Sequence, residues 1–297
     1  MIDSYHADYP WVKSYRAGLE DVLLPAHSVS YFEMNTKRIP HDAFGGAALA
    51  AWQACQQQSP DIVMLADDNA LKYVGPILID HHIPFVYFGI NANPRDYGIG
   101  ISSEFGGVLE RLLIKRAILL LRRFADVKRV LVLFDNGTTS SAIVQTVFEN
   151  KPHHTYSGIA VDVQQATTFA DWQQAIHNAG EYDAVLVGLY QTLTDEHGNS
   201  VPEETVIAWT SDNAGVPPFA LWDYAVGSHK AVGGYVISGY DQGKLAGQIA
   251  AQFEGKKGDT SMPQTTTSSM LLFSRAQLIK WNLTIPADLT GITYYVD

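Results

Sequence analysis

Polar and aromatic side chains follow the predicted strands of this 297-residue chain, at the points where the strands end. Ligands of open α/β sheets bind outside the carboxyl ends of the strands, so we expect these loops to line a binding site. Trp11 joins the set because it is an aromatic residue beside the first loop. The predicted ligand-binding residues are Ser4, Tyr5, Trp11, Asp67, Asp68, Asn91, Asp135, Thr138, Thr139, Tyr190, Trp222 and Asp223.

The chemistry of these residues favours a ligand that carries an amino group. Carboxylates such as Asp67 and Asp135 attract an ammonium group, and the faces of Tyr5 and Trp222 stack on an apolar or cationic body. Hydroxyl and backbone N–H groups at residues 138–139, where a helix is predicted to begin, favour a carboxylate, and a simple helix cap explains the same threonines. An amino-acid-like or other amine-bearing small molecule satisfies all three features, whereas a neutral sugar leaves the last one unused.

Asp67 and Asp68 raise a second interpretation, an acid/base pair or half of a metal site. Neighbouring residues of a strand point in opposite directions, so we expect these two carboxylates not to share a proton. We expect instead that one of them caps the following helix and that the other faces the ligand.

Other motifs for catalysis, metals and nucleotides fail on their spacing. His81-His82 and His153-His154 are adjacent pairs, without the i, i+4 spacing that places two ligands on one helix face. Residues 98–100 and 239–245 lack the dinucleotide and phosphate-loop patterns, and no Gly-x-Ser-x-Gly elbow is present. We therefore predict no metal, no cofactor and no enzymatic activity. The alternatives are a Rossmann-like enzyme, either a hydrolase or an NAD-dependent one, and a sugar-binding protein of the same fold.

Composition excludes several classes of protein. The net charge of −11 repels phosphate backbones, which makes nucleic acid an unfavourable partner. A single cysteine, Cys55, excludes a disulfide framework within the chain. The most apolar stretch, residues 108–121, contains Glu110, Arg111 and two further cations, so it is not a predicted membrane span.

Predicted strands and helices alternate along almost the whole chain, which is typical of α/β proteins. A first series has strands at residues 28–34, 61–66 and 83–89, and a second has strands at 129–134, 158–163, 184–189 and 218–222. Between the two series, residues 105–124 read as one long helix. The two series predict two Rossmann-like lobes. We also expect a turn at residues 197–200 in a hairpin or projecting loop, a polar connector at 255–269 and a short helix at 274–281.

Three stretches together resemble the ABC-transporter substrate-binding-like family, whose members have a type I periplasmic-binding-protein fold. They are SYHADYPW at residues 4–11, LWDYAVGSHKAVGGYVISGYDQGKLAG at 221–247 and MPQTTTSSMLLFSRAQLIKWNLTIP at 262–286. Members of the family are exported binding proteins or extracytoplasmic sensor regions of signalling proteins. The resemblance implies two α/β lobes joined by three crossovers, a ligand held in an interlobe cleft, and hinge closure around it.

This resemblance also guides the predicted domains, location and partners. We expect one lobe to contain residues 1–103 and 236–263, and the other residues 104–235 and 264–297, with crossovers near 101–104, 233–239 and 262–267. A periplasmic or extracytoplasmic location is expected, with a small-molecule ligand and either an ABC permease or the rest of a sensor kinase or cyclase chain as partner. Only Met1 and Ile2 precede the first loop, so we expect an upstream segment in the native protein.

Overall fold

The structure, a computed structural model, describes residues 1–24, 26–102, 104–253, 263–266 and 269–297. The chain divides into two compact units, which consist of Met1–Arg111 with Ser238–Ser268 and of Leu112–Ile237 with Ser269–Asp297. Each unit combines helices with a mainly parallel sheet, so the predicted α/β class is confirmed. None of the helices within the described residues is both long and apolar enough to cross a membrane.

Strands and helices alternate along most of the chain, as the apolar patterning predicts. The strands are β1 (Ile2–Asp3), β2 (Phe32–Glu33), β3 (Val63–Ala66), β4 (Phe85–Ile90), β5 (Phe105–Leu109), β6 (Arg129–Asp135), β7 (His153–Tyr156), β8 (Ile159–Ala166), β9 (Ala184–Val187), β10 (Pro218–Ala220), β11 (Gly233–Ile237), β12 (Gln264–Thr265), β13 (Ser269–Ser274) and β14 (Thr293–Val296). The helices are α1 (Pro10–Leu23), α2 (Phe44–Gln58), α3 (Asp67–Asp80), α4 (Ile114–Leu121), α5 (Thr138–Phe148), α6 (Phe169–His177), α7 (Glu203–Asn213), α8 (Gly239–Gln252) and α9 (Arg275–Lys280).

The sheet of the first unit has the strand order β12-β5-β4-β3-β1-β2, and every pairing in it is parallel. Strands β3 and β4 are buried along their whole length, which explains why both read as continuous apolar runs. Trp52 of α2 and Leu71 of α3 belong to the same hydrophobic cluster as Leu65 of β3. Helix α8 packs on β4 and β5. The carboxyl ends of β1, β3 and β4 therefore meet at one edge of a rigid sheet.

Helices α1 and α8 approach each other closely through glycines. A Cβ atom on Gly243 would lie 1.8 Å from the carbonyl oxygen of Tyr15, and one on Gly18 would lie 2.0 Å from the carbonyl oxygen of Tyr240. Both distances are far inside van der Waals contact with backbone, so any side chain at either position forces the helices apart. This contact joins the start of the first unit to the segment that returns to it after residue 237.

The main sheet of the second unit has the order β10-β9-β6-β8-β7, in which only β7 runs antiparallel to its neighbour. A smaller sheet has the order β11-β13-β14. Leu133 of β6 and Val187 of β9 share a buried cluster with Trp172 of α6. The indole N–H of Trp172 donates a 2.8 Å hydrogen bond to the hydroxyl of Thr210, so the one polar atom of this ring is satisfied inside the core.

The single helix predicted over residues 105–124 is wrong. Residues 105–109 form β5, which pairs with β4, and the helix α4 begins only at Ile114. Gly107 faces the backbone of Tyr87, where an added Cβ would lie 2.2 Å from the carbonyl oxygen. Adjacent glycines disfavour a helix and permit this close approach. Residues 104–111 consequently lie in the first unit and not in the second, where the predicted boundary placed them.

The carboxyl-terminal part also differs from the prediction. Strands β13 and β14 add to β11, where the sequence indicated only a connector over residues 255–269 and a short helix. Most of that connector lies outside the described residues. The helix is present as α9, and the turn predicted near residue 198 is confirmed, since the Asp195 carboxylate accepts the backbone N–H groups of His197 and Asn199 at 2.9 and 2.8 Å.

We expect Gly243→Ala to destabilise the protein by about 2 kcal/mol or more, because the new methyl group collides with the backbone of α1. Gly45→Ala is the matched control, since a Cβ atom there meets nothing within 4 Å on an exposed part of α2. Chemical denaturation of both variants measures the difference. Equal stability of the two variants would show that α1 and α8 pack less closely than described.

Candidate functional site

Ser4 joins the ends of β1 and β3 in the first unit. Its hydroxyl donates a 2.6 Å hydrogen bond to the carbonyl oxygen of Ala66 and accepts one of 2.7 Å from the backbone N–H of Ala70. The side chain is fully buried. The structure thus places Ser4 at the predicted edge, with its hydroxyl engaged in holding the first turn of α3 against β1.

Asp68 holds the loop that follows β4. Its carboxylate accepts the backbone N–H groups of Asn91 and Ala92 at 3.1 and 3.0 Å and the Tyr97 hydroxyl at 3.1 Å. Burial raises the pKa of this carboxyl group, while the three hydrogen bonds favour its ionised form. Both oxygens of Asp68 are therefore engaged with the protein itself.

Arg111 holds the same loop from its other side, and the sequence reasoning did not identify it. Its guanidinium donates to the carbonyl oxygens of Ile90 and Asn91 at 2.9 and 3.0 Å, and burial lowers its pKa. Asn91 is itself buried, and its side chain donates a long 3.4 Å hydrogen bond to the carbonyl oxygen of Gly89. The position of Asn91 is thus set by an acceptor on one side and a cation on the other.

Asp67 differs from its neighbour because one of its oxygens is unpartnered. Only 2% of the residue is exposed, and its Oδ2 atom has no hydrogen-bond partner. The backbone adopts a left-handed conformation there, with φ of 67°, which is uncommon for a non-glycine residue. Burial, followed by the carboxylates of Glu110 and Asp68, raises the pKa of Asp67 well above its usual range. A buried acceptor without a donor is costly in the unliganded protein.

The expected roles of these two aspartates need correction. Asp67 and Asp68 are the first residues of α3 and not the last residues of a strand, and no side chain caps this helix. Asp68, which we expected either to cap or to face a ligand, instead bonds the loop after β4. The donors come from residues more than twenty positions away, so the sequence carried no sign of them.

Asn69 supplies a second unpartnered acceptor beside Asp67. Its side-chain N–H donates a 2.9 Å hydrogen bond to the Thr36 hydroxyl, which donates in turn to the carbonyl oxygen of Ser4 at 2.8 Å. Because the Thr36 hydroxyl proton is donated to Ser4, its oxygen can only accept from Asn69. The Asn69 amide therefore directs its nitrogen to Thr36 and its oxygen away from it. That buried oxygen, Oδ1, has no partner. Sequence reasoning had not selected Asn69.

The aromatic residues of the first unit are packed by the protein itself. The Lys37 ammonium lies 4.3 Å from the centre of the Tyr5 ring and 5.0 Å from that of Tyr9, so a cation already covers Tyr5. Trp11 is 2% exposed and lies against Tyr15 and the start of α8, where a Cβ on Gly239 would lie 2.9 Å from the indole. The structure therefore places Trp11 between the start of α8 and Tyr15, whose hydroxyl donates to the carboxylate of Asp3 at the end of β1.

Asp135 has in the second unit the role that Asp68 has in the first. Its Oδ1 atom accepts the backbone N–H of Gly137 at 3.1 Å and the hydroxyl of Ser140 at 2.5 Å. Its Oδ2 atom accepts the backbone N–H of Thr192 at 3.0 Å. The carboxylate thus connects the start of α5 with the loop after β9, and neither oxygen lacks a donor.

Thr138 and Thr139 are the first two residues of α5, as predicted. Gly137 is the capping residue, and no side chain caps the helix, so the simple capping role considered for the two threonines is wrong. Thr139 is buried and Thr138 is half-buried. The backbone N–H groups at this helix start are oriented as an anion-binding feature requires.

Three aromatic rings form a packed group at the carboxyl edge of the second sheet. Trp222 stacks on Tyr224, with ring centres 6.3 Å apart, and the Tyr190 ring lies 6.5 Å from that of Tyr224. Trp222 and Tyr190 are buried, whereas Tyr224 is half-buried. Asp223 is half-buried, and its carboxylate accepts the backbone N–H of Tyr224 at 2.8 Å. Tyr224, outside the predicted set, is the most exposed ring of this group.

The histidine pairs show no arrangement for a metal. Across the part of the chain that the structure describes, no group of three or more His, Cys, Asp or Glu side chains is placed to hold an ion. His81 lies 2.9 Å from the carbonyl oxygen of Ile77, and the exposed His153 lies 2.7 Å from the carboxylate of Asp162.

Solved structures with the same fold include parts of ABC-type systems, a substrate-binding protein and a LacI transcriptional regulator from Lactobacillus brevis. A Streptococcus pneumonia ABC domain in complex with L-Trp superposes with a TM-score of 0.72 at 13% identity, and the match covers 100% of this chain and 99% of that one. A conserved domain protein from Vibrio cholerae gives 0.73 at 16% identity, covering 100% and 98%. A ligand-free, open substrate-binding protein with adhesive properties from Clostridium difficile gives 0.67 at 15%, covering 100% and 97%.

No protein-family model matches the chain, and no curated protein matches its sequence. The fold, by contrast, is shared over the full length. The chain has the type I periplasmic-binding-protein fold, as the resemblance implied.

We expect Asp67→Asn to stabilise the protein at neutral pH. The folded state favours the protonated form of Asp67, so the wild type loses stability as pH rises from the ordinary aspartate pKa of about 4 towards the raised pKa of the folded state. Asparagine mimics the protonated carboxyl group without this loss. Thermal melting from pH 4 to pH 8 should show a gain that grows with pH, about 2–4 °C for each kcal/mol recovered.

Two variants control for this effect. Asp61→Asn, exposed before β3, should leave the melting curve unchanged. Asp68→Asn should destabilise by about 1–3 kcal/mol, because an amide cannot accept all three hydrogen bonds of the carboxylate. If the melting temperatures of the wild type and of Asp67→Asn changed with pH in parallel, the raised pKa of Asp67 would be contradicted.

Proposed function

We propose that the protein is an extracytoplasmic binding protein for a small amine-bearing solute, most simply an amino-acid-like one. The observation that carries the proposal is the buried, unpartnered Asp67 Oδ2 atom at the carboxyl end of β3. This is the position at which open α/β sheets bind their ligands. An acceptor that finds no donor in the protein is best satisfied by a donor on a ligand, and an ammonium group also supplies the opposite charge.

Similar structures support a ligand of this size and chemistry. The pneumococcal domain is described in complex with L-Trp, which carries an ammonium group, a carboxylate and an aromatic ring. A solute-binding protein from R. palustris, with a TM-score of 0.54 at 13% identity, is described with 4-hydroxybenzoate. Within the second unit taken by itself, the start of α5 is suited to a carboxylate and the half-buried Tyr224 offers a ring face.

The geometry favours binding over catalysis. Asp68 is engaged with the loop after β4, so it does not form an acid/base pair with Asp67. The rival proposals are a Rossmann-like enzyme and a binding protein for neutral sugars. Orphaned acceptors such as Asp67 Oδ2 and Asn69 Oδ1 also accept hydroxyl protons, and this keeps the sugar alternative open.

The biological setting is part of the same proposal, and the fold supports it. Binding proteins of this fold deliver solutes to an ABC permease or form the input region of a sensor, and we propose one of these roles for this protein. An interlobe cleft and hinge closure are the parts that rest on the resemblance alone. An extracytoplasmic location belongs with them.

Calorimetric titration of a defined panel tests the ligand class. The panel contains the twenty L-amino acids, their decarboxylated amines, neutral monosaccharides and sugar phosphates. We expect an amine-bearing compound to bind, and Asp67→Asn to weaken it about 10- to 100-fold through loss of a charge-assisted hydrogen bond. Asp61→Asn should bind as the wild type does.

The same titrations separate the rival functions. Binding of a monosaccharide alone supports the sugar alternative, and conversion of a panel compound, followed by mass spectrometry, supports the enzyme. Tight binding of a sugar phosphate contradicts both the amine and the neutral-sugar proposals, because neither ligand class carries a phosphate.

Closure predicts a second, independent signal. A saturating amount of the bound panel compound should reduce the radius of gyration in small-angle scattering. It should also stabilise the protein by about 2.7 kcal/mol at a hundred-fold excess over Kd. Stabilisation without compaction would indicate a binding protein that does not close.

A further inference from the structure

We propose that Asp67 is protonated in the unliganded protein and that a primary ammonium group of the ligand displaces this proton, so that each amine bound releases one proton to the solvent. This inference rests on the proposed function, and it adds a proton linkage and a specificity rule to the same site. Asp67 becomes the residue that distinguishes an amine from the corresponding alcohol.

The first argument is the cost of charge at this position. An ionised carboxylate that is 98% buried, with one oxygen unpartnered, loses most of its hydration without replacement. The protonated group loses far less, because it carries no net charge. Gly89 lies beside this carboxyl group, since a Cβ atom at that position would be 3.4 Å from Oδ1. Burial with Oδ2 unpartnered thus favours the neutral form until a ligand cation arrives.

The second argument is the charge of the surroundings. Among the described groups that act most strongly on Asp67, three are carboxylates, of Glu110, Asp68 and Asp3, and one is an ammonium group that opposes them. That ammonium, on Lys37, lies over the Tyr5 ring and makes no hydrogen bond to Oδ2. The titratable groups that face Asp67 are Glu110 after β5, Asp68 on α3, Asp3 on β1, Tyr15 on α1 and Lys37 after β2.

The third argument concerns which amines fit. Asn69 Oδ1 is a second unpartnered acceptor. Both residues interact with neighbouring positions of the chain after β2, because Asn69 donates a hydrogen bond to Thr36 and Asp67 is attracted by the charge of Lys37. A primary ammonium group has three N–H donors and satisfies both oxygens. A quaternary ammonium group supplies the charge and no donor, so the site selects primary over quaternary amines.

The proposed step conserves all atoms and charge. The Asp67 O–H bond breaks and its proton passes to the buffer, while the carboxylate forms a charge-assisted hydrogen bond to the incoming R–NH3+. No oxidant, reductant or further reactant is required. Below the raised pKa of Asp67, amine affinity should consequently increase with pH by up to tenfold per unit.

Calorimetry in two buffers of different ionisation enthalpy measures the released proton. The probes are the amino acids and primary amines of the panel, each compared with the same molecule carrying a hydroxyl or a trimethylammonium in place of the amino group. We expect about one proton released per primary amine by wild type and by Asp61→Asn. Asp67→Asn should release none, bind about 10- to 100-fold more weakly and lose the pH dependence.

Asn69→Ala tests the specificity rule separately. It should retain proton release and reduce the preference for the primary over the quaternary amine. Melting curves of each variant establish that it is folded. Amine binding without proton release, or with a pH profile unchanged in Asp67→Asn, overturns the inference and leaves the proposed function intact.

An NMR titration of the protein without ligand tests the protonation of Asp67 even if no panel compound binds. The carboxyl 13C resonance of Asp67, assigned by its absence in Asp67→Asn, should titrate well above that of an ordinary aspartate. If no panel compound binds but the resonance titrates high, the proposed function has failed and the protonated state of Asp67 stands. A resonance that titrates at the ordinary aspartate pKa overturns the inference whatever the panel shows.

Discussion

Backbone N–H groups at the ends of parallel strands need acceptors, and two buried carboxylates provide them in this protein. Asp68 accepts from the loop after β4, and Asp135 accepts from the start of α5 and from the loop after β9. In each unit, one aspartate therefore sets the course of a loop at the carboxyl edge of its sheet. Loops held in this way present a fixed surface, which reduces the entropy lost when a ligand binds.

The same arrangement explains why Asp67 has an unpartnered oxygen and a raised pKa. Its neighbour takes the donors of the β4 loop, and Ser4 takes the backbone N–H of Ala70 in the first turn of α3. What remains for Asp67 is a buried position among other carboxylates, with an oxygen that nothing in the protein satisfies. Such a group lowers stability, and a binding site is the place where proteins retain a cost of this kind. If Asp67 binds the ligand as proposed, stability and recognition are opposed at this one side chain.

The sheets that carry these loops depend on close backbone contacts. At Gly18 and Gly243, helices α1 and α8 are so close that a Cβ atom would collide with the backbone of the other helix. At Gly107 of β5, a Cβ atom would collide with the backbone of Tyr87 in β4. These contacts fix the edge of the first sheet, from which the Asp67 site is built. The small residues are therefore as important to the site as the polar ones, although none of them would touch a ligand.

Much of the architecture follows from the sequence alone. Continuous apolar runs mark β3, β4 and β6 because both faces of these strands are covered, and the polar residues after each run mark the edge where ligands bind. The α/β class and the positions of Asp67, Asp135 and Thr138 were predictable on this basis. Local patterning suffices for such features because they depend on the spacing of neighbouring residues.

Tertiary structure alone decided the rest. Residues 105–109 are a strand because β4 offers an edge to pair with, and no local pattern reports that edge. Two adjacent aspartates received opposite roles because the donors for Asp68 come from residues 91, 92 and 97, whereas none reaches Asp67 Oδ2. Trp11 became a packing residue because Gly239 brings α8 against it. Hydrogen-bond satisfaction and burial are set by chain segments distant in sequence, so side-chain roles emerge only when those segments meet.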